Sequence, residues 1–305
     1  MTNKRKILFC GASGYGNIGD DSYRLLFSKY LSDDFDLYFD SPYPNINYIQ
    51  NMDIVSIGGG GVIYCNQTSH FDYMRLYMDA AIRHNKPLYF LSCGVQLTGF
   101  KKDRFSNNDE IIYHGKLQLK PWLSYFQLAK LITVRSEMDA KIIKSVCPDA
   151  NVIYVPDLVY LLEPAPYHLI ETNSWVFIPT PSGHNLMEMQ KYFLEAKQKK
   201  IKAYSVCFSA EDSQIVEKMG LDLNSAGHFS YRVNLNPSEA ASILRDASKV
   251  ISNRYHGAIV ARAVGKTEDQ IVVVDNRYKS VVEIPPQDLK QAYNHILFFR
   301  NIANV

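Results

Sequence analysis

The sequence predicts an α/β protein of two doubly wound, parallel-sheet domains that face one another across a cleft. Three observations carry this reading. Short runs rich in Ile, Val, Leu, Phe and Tyr alternate with amphipathic helical segments. The runs are apolar almost continuously instead of at every second residue, the pattern of strands covered on both faces. The alternation then restarts after a linker, in a chain of 305 residues, long enough for about two domains.

In order, "KILFCG", "DLYFD", "DIVSIGG", "KPLYFLSCGV", "LITVRS" and "NVIYVPD" read as strands, with "DDSYRLLFSKYL", "HFDYMRLYMDAAIRHN" and "SEMDAKIIKSV" as helices between them. They define a first domain over residues 1–165. "EPAPYHLIETNS", with its two prolines, reads as the linker. A second domain, residues 166–285, contains "WVFIPT", a helix from Asn185 to Lys200, "IKAYSVCF", a helix around "EDSQIVEKMG", "PSEAASILRDA", "KVISNR", "HGAIVARAVG" and "QIVVVDN". Residues 286–305 follow as a packing helix: Leu289, Tyr293, Ile296, Leu297 and Phe299 form a stripe too large to leave in water.

Composition narrows the function classes. A net charge of +2 gives no general basic field, so neither nucleic acid nor a membrane surface is expected as a partner. The apolar start is too short for a signal peptide, and no segment approaches the ~18 apolar residues of a span. A cytoplasmic location is expected. The five cysteines are odd in number and lack any C-x-x-C pair, so they read as reduced core residues, with no metal site.

Ligands of open α/β sheets sit beyond the carboxyl ends of strands, so chemistry should lie there. "GASGYGNIGDDS" brings Gly11, Gly14, Gly16 and Gly19 between a strand and a helix, where backbone can approach an anion or sugar. A dinucleotide reading of this loop would use Asp40 as its acidic residue. Asp20 and Asp21 fit either acceptor contact or the N-terminal dipole of the helix. Gly58 to Gly61 follow "DIVSI" at a strand end, which suggests close approach of a ligand or of the facing domain. "GKT" is no phosphate loop, because the position of its first glycine is Val260. In "NRYHG", Arg254 offers a planar fork for phosphate or carboxylate at a helix N-terminus, and His256 a group that holds or passes a proton near neutral pH. Arg135 ends "LITV" in the first domain; an ion pair with Glu137 or Asp139 is its structural alternative.

Taken in order, these residues resemble the polysaccharide pyruvyl transferases. The family pattern runs G-x-x-x-x-x-N-x-G-D, G-G-G-G, V-R-D-x-x-S, P-D, S-x-R-x-H-x-x-I-x-A-x-x-x-G and a closing aspartate with a nearby lysine. Here stand Asn17, Gly19 and Asp20, Gly58 to Gly61, Val134 and Arg135, Pro156 and Asp157, then Ser252, Arg254, His256, Ile259, Ala261, Gly265, Asp275 and Asn276. Ser136 and Asp139 exchange the family's Asp and Ser, and the ending is "DNRYKS".

The resemblance implies a fold similar to the GT-B glycosyltransferases, phosphoenolpyruvate as donor, and a pyruvate ketal on a sugar hydroxyl pair as product, for a surface polysaccharide. No cofactor is implied. His256 and Arg254 become the catalytic candidates, and Arg135, Asn17, Asp20, Gly59, Gly60, Asn276 and Lys279 the substrate-binding candidates. The first domain would then hold the acceptor and contribute Arg135, and the second the donor. A nucleotide-sugar glycosyltransferase and a catalytically silent sugar- or anion-binding homologue are the alternatives.

Overall fold

The computed structural model describes residues 4–303 apart from 12, 15, 41–44, 66–68, 98–106, 181–185, 219–228, 233–234, 276–280, 282 and 284–285. The chain first lays down β1 (Arg5–Cys10), α1 (Ile18–Leu31), β2 (Phe35–Phe39), β3 (Ile54–Tyr64), α2 (Ser69–Arg83) and β4 (Leu88–Gln96). Then come α3 (Asn108–Leu119), α4 (Leu123–Leu128), β5 (Leu131–Val134), α5 (Glu137–Val146) and β6 (Val152–Tyr154). The strands join in the order β2-β1-β3-β4-β5-β6, all parallel. Helices cover the sheet, so β3, β4 and β5 are buried along almost their whole length, as their unbroken apolar runs require.

A second sheet follows. Its elements are β7 (Ser174–Ile178), α6 (Leu186–Gln198), β8 (Lys202–Val206), α7 (Asp212–Lys218), β9 (Phe229–Arg232), α8 (Pro237–Asp246), β10 (Lys249–Ser252), α9 (Tyr255–Ala263) and β11 (Ile271–Val273). The order is β11-β10-β7-β8-β9, again parallel throughout. Gly265, at φ 86, ends α9, and the Lys266 N–H returns to the Ala261 carbonyl at 3.0 Å. The glycine of "GKT" is thus a helix stop.

Two compact units result. One comprises Met1–Tyr15, Tyr23–Leu158 and Gln291–Val305; the other comprises Gly16–Ser22 and Val159–Lys290. The first turn of α1 therefore groups with the second sheet, and the C-terminal segment with the first.

Three features depart from the sequence reading. α3, α4 and β9 lie in stretches without a clear period and were not anticipated. The glycines Gly58 to Gly61 do not follow a strand but run inside β3, because β4 keeps pairing past them, Gly58 with Leu91 and Gly60 with Cys93. The C-terminal segment is not one helix: α10 (Pro286–Leu289) and α11 (Asn294–Ala303) are separated by a 3₁₀ turn over Lys290–Tyr293. In α11 the inward positions are Ile296, Phe299 and Ala303, all fully buried, while Leu297 is turned outward. Phe299 packs against Phe35 and Tyr89, with ring centroids at 5.5 and 5.0 Å.

His295 anchors α11 on the first sheet by polar contacts. Its ring is fully buried, with Nδ1 2.7 Å from Thr133 Oγ1 and Nε2 2.9 Å from the Pro156 carbonyl and 3.3 Å from Ser92 Oγ. Burial holds its pKa down at about 3, against an ordinary 6.5. The unfolded chain thus binds a proton between those values that the folded chain refuses. Stability on this account is complete above pH 6.5 and falls as pH drops toward 3, by a few kcal/mol in total. Urea unfolding at a series of pH values should show this acid slope, and His295→Gln should flatten it.

Candidate functional site

In the second sheet the strand order reverses between β7 and β10, which marks the loops after these strands as the place for a ligand. The chain leaving β10 is shaped by Ser252. Its hydroxyl accepts the Arg254 N–H at 3.0 Å and donates to the Arg254 carbonyl at 2.9 Å, setting Arg254 in extended geometry as the N-cap of α9. Arg254 makes no side-chain cap, so its guanidinium is free to reach sideways across the strand ends.

It reaches Asp212. Arg254 Nη2 donates to Asp212 Oδ1 at 2.6 Å, with Ser209 Oγ at 3.1 Å and Thr180 Oγ1 at 3.3 Å. The carboxylate is fully buried, and its other oxygen accepts the backbone N–H groups of Phe208 and Ser209 at 2.8 and 2.9 Å. Ser209 Oγ completes the set at 3.2 Å from Oδ1. Arg254 Nε, by contrast, is buried with no acceptor among the described residues. Sequence reading named Arg254 but not its partner. The available signal was "SAED", the S-x-x-D form of a helix-start box, which the structure uses both to begin α7 and to hold the arginine.

His256, in the first turn of α9 and 8% exposed, meets the first turn of α1. A Cβ at Gly19 would lie 2.0 Å from His256 Nδ1, so only glycine admits the imidazole at this position. Asn17 holds the turn: its Oδ1 accepts the Gly19 N–H at 3.1 Å and its carbonyl the Asp21 N–H at 2.7 Å. The Ile18 N–H is bonded to the Phe208 carbonyl at 2.8 Å, on the loop that Asp212 organises. Asn17, Gly19, Asp20, Arg254 and His256 thus belong to one compact unit although more than half the chain separates them. Asp20 and Asp21 sit in the first turn of α1, where their charge complements the helix dipole. Asn276 and Lys279 lie outside the described residues.

Arg135 belongs to the first unit. Its Nη1 lies 3.4 Å from Asp157 Oδ2 and 3.2 Å from Tyr23 Oη, and Tyr23 donates to both Asp157 oxygens at 2.8 Å. Burial, and then the Asp157 charge, push the Tyr23 phenol well up, which keeps it a donor. The carboxylate beside Arg135 is therefore Asp157, from the P-D motif. Tyr23 also accounts for Gly59: at φ 79, with a Cβ that would come within 2.7 Å of Tyr23 Cβ, this residue lets α1 lie on β3. Gly60 follows at φ 100. Ser136 is the N-cap of α5 and accepts the Asp139 N–H at 3.1 Å. Asp and Ser both serve in that cap, so the exchange with the family pattern leaves local structure intact. Asp40 accepts from Tyr73, Tyr77 and the Asn45 N–H, which ties its carboxylate into the fold instead of offering it to a ribose.

A family profile described as polysaccharide pyruvyl transferase matches residues 3–267, nearly the whole chain. The chain belongs to that family. It is accordingly an enzyme, a transferase. No curated protein sequence matches it significantly. Among solved structures it is similar to the UDP-GlcNAc 2-epimerase of Methanocaldococcus jannaschii in complex with UDP-GlcNAc and UDP, at 8% identity and TM-score 0.56, covering 99% of this chain and 100% of that one. It is also similar to the UDP-N-acetylglucosamine 2-epimerase of Rickettsia bellii, at 9% identity and TM-score 0.56, covering 99% and 96%. An α-glucosyltransferase in complex with UDP-glucose and DNA resembles it at 10% identity and TM-score 0.53, over 98% and 91% of the two chains. These likenesses establish a GT-B-like fold of two α/β units. Among the described residues no helix is long and apolar enough to cross a membrane.

Gly19→Ala adds a helix-favouring methyl group that the imidazole must vacate. Melting temperature should fall, because forcing a methyl group against a buried side chain typically costs about 1–3 kcal/mol, and if His256 takes part in the reaction activity should fall about a hundredfold as well. Parallel kinetic and thermal measurements on the variant check this.

Proposed function

We propose that this transferase moves the pyruvyl group of phosphoenolpyruvate onto a pair of saccharide hydroxyls, forming a pyruvate ketal on a precursor of a surface polysaccharide. The observation that carries the reading is the packing of His256 on Gly19 beside Arg254, which gathers two widely separated family motifs into one unit. Family membership supplies the reaction class.

The chemistry asks for few groups. A proton adds to the methylene carbon of the donor, one sugar hydroxyl adds to the neighbouring carbon, and phosphate leaves with the electrons of the C–O bond. The second hydroxyl then closes the ketal. Carbon takes up one proton, the two hydroxyls release two, the departing phosphate takes the second, and the phosphate needs a complementary field throughout. In this reading Arg254 supplies directed donors for the anionic donor molecule; Asp212 already balances its charge, so geometry matters more than net attraction. His256 handles the proton, at the first turn of α9 and against the first turn of α1, where backbone N–H groups favour an anion. Arg135, Asn17, Asp20, Asn276 and Lys279 remain proposed contributors to substrate binding, as do Gly59 and Gly60. The cytoplasm, where phosphoenolpyruvate is made, is the proposed location.

Two substitutions separate binding from proton transfer. Arg254→Lys keeps the charge and removes the planar fork, so donor affinity should fall by roughly 1–3 kcal/mol and activity should partly return at high donor concentration. His256→Gln keeps hydrogen-bonding capacity without a titratable proton, so kcat should fall by roughly 10²- to 10⁴-fold with donor affinity little changed. The assay is phosphoenolpyruvate-dependent mass gain on a saccharide panel, with release of inorganic phosphate. Turnover of a UDP-sugar without phosphoenolpyruvate would replace this reading with a glycosyltransferase. Binding of saccharide with no turnover of either donor would leave a silent homologue.

A further inference from the structure

Asp212 lies in no family motif recognised in the sequence, yet the polar order of the second unit converges on it. Its carboxylate is fully buried. Oδ2 takes the N–H groups of Phe208 and Ser209, and Oδ1 takes the Ser209 hydroxyl and Arg254 Nη2. The two amides belong to the loop immediately before α7, so that loop aims the carboxylate independently of the arginine. Among the described residues, three protein groups engage the guanidinium, all through Nη2, and Nε has no acceptor. The rest of the fork is thus left unassigned by these contacts.

We propose that Asp212 is the positioning residue for Arg254: it fixes the guanidinium through Nη2 and so sets the direction in which the rest of the fork meets an anionic oxygen of the donor. This rests on the proposed donor-binding role of Arg254 and extends it to a residue that touches no substrate. The alternative is that Asp212 only starts α7. The two differ in how Asp212 depends on Arg254.

Asp212→Asn is nearly isosteric and discriminates. Two backbone N–H groups already point at this side chain, so the amide oxygen must face them and its NH₂ group is turned toward the guanidinium, donor against donor. The start of α7 is kept and the hold on Arg254 is lost. Binding of phosphoenolpyruvate, and separately of inorganic phosphate, should be measured by calorimetry on four full-length proteins: wild type, Asp212→Asn, Arg254→Lys and the double variant. Asp212→Asn should weaken phosphoenolpyruvate binding about tenfold or more in the wild-type background and less than about twofold when Arg254 is already lysine, because contacting residues couple and independent ones add. Melting temperatures of both single variants should fall, because each weakens a buried ion pair, so the dependence of the affinity loss on Arg254, and not stability, is the deciding readout. Equal losses in both backgrounds, or affinity unchanged by Asp212→Asn, would overturn the positioning role and leave the donor reading standing. If Asp212→Asn does not fold, Asp212→Glu retains the charge but displaces it by one methylene, and it must show the same dependence on the arginine. Wild-type protein that binds neither ligand overturns the donor reading and the positioning role together.

Discussion

A carboxylate taken out of water costs several kcal/mol unless its lone pairs are engaged, and removing one partner of a buried pair typically costs about 3–5 kcal/mol more. Asp212 meets that constraint with four donors from two places in the chain: two amides and a hydroxyl from the β8–α7 loop, and a guanidinium from the end of β10. Because Phe208 also accepts the Ile18 N–H, the first turn of α1 hangs from this loop as well. The alignment of Gly19 with His256 therefore depends on how one buried negative charge is satisfied. A substitution here would disturb three polypeptide segments at once.

The first unit repeats the arrangement with different residues. Asp157 is 1% exposed and is satisfied by Tyr23 and Arg135, so here a carboxylate beyond β6 holds an arginine beyond the neighbouring β5, whereas Asp212 and Arg254 lie beyond β8 and β10, with β7 between them. In both units an arginine of a family motif is paired inside its own sheet. Neither arginine is a bare cation; each is a guanidinium with one side already assigned to a buried carboxylate.

Much of this was legible in the sequence, and for a clear reason. Unbroken apolar runs report burial on both faces, so β1 to β8, β10 and β11 lie where the runs predict, and the restart after "EPAPYHLIETNS" marks the second sheet. The R-x-H corner was readable because a strand end followed by a helix start is a local event. What could not be read is which loops meet. Hydrophobic period says nothing about Asp212 finding Arg254, or about Gly16–Ser22 joining the second unit. Glycine was ambiguous in the same way: Gly58 to Gly61 signalled close approach, but only the structure shows that Tyr23 is what comes close to Gly59. The exchanged Ser136 and Asp139 looked like a departure from the family, and the cap explains why it is conservative.

Neither unit is a continuous stretch of chain, and this sets an order of assembly. The first unit needs Gln291–Val305, which leaves the ribosome only after Val159–Lys290 has been made. At ordinary translation rates that interval is on the order of ten seconds. During it the Thr133 and Ser92 hydroxyls and the Pro156 carbonyl lack the imidazole that later joins them, and the groove for Phe299 is open. Completion of the first sheet therefore waits on Gln291–Val305, a segment made only after the whole of the second sheet.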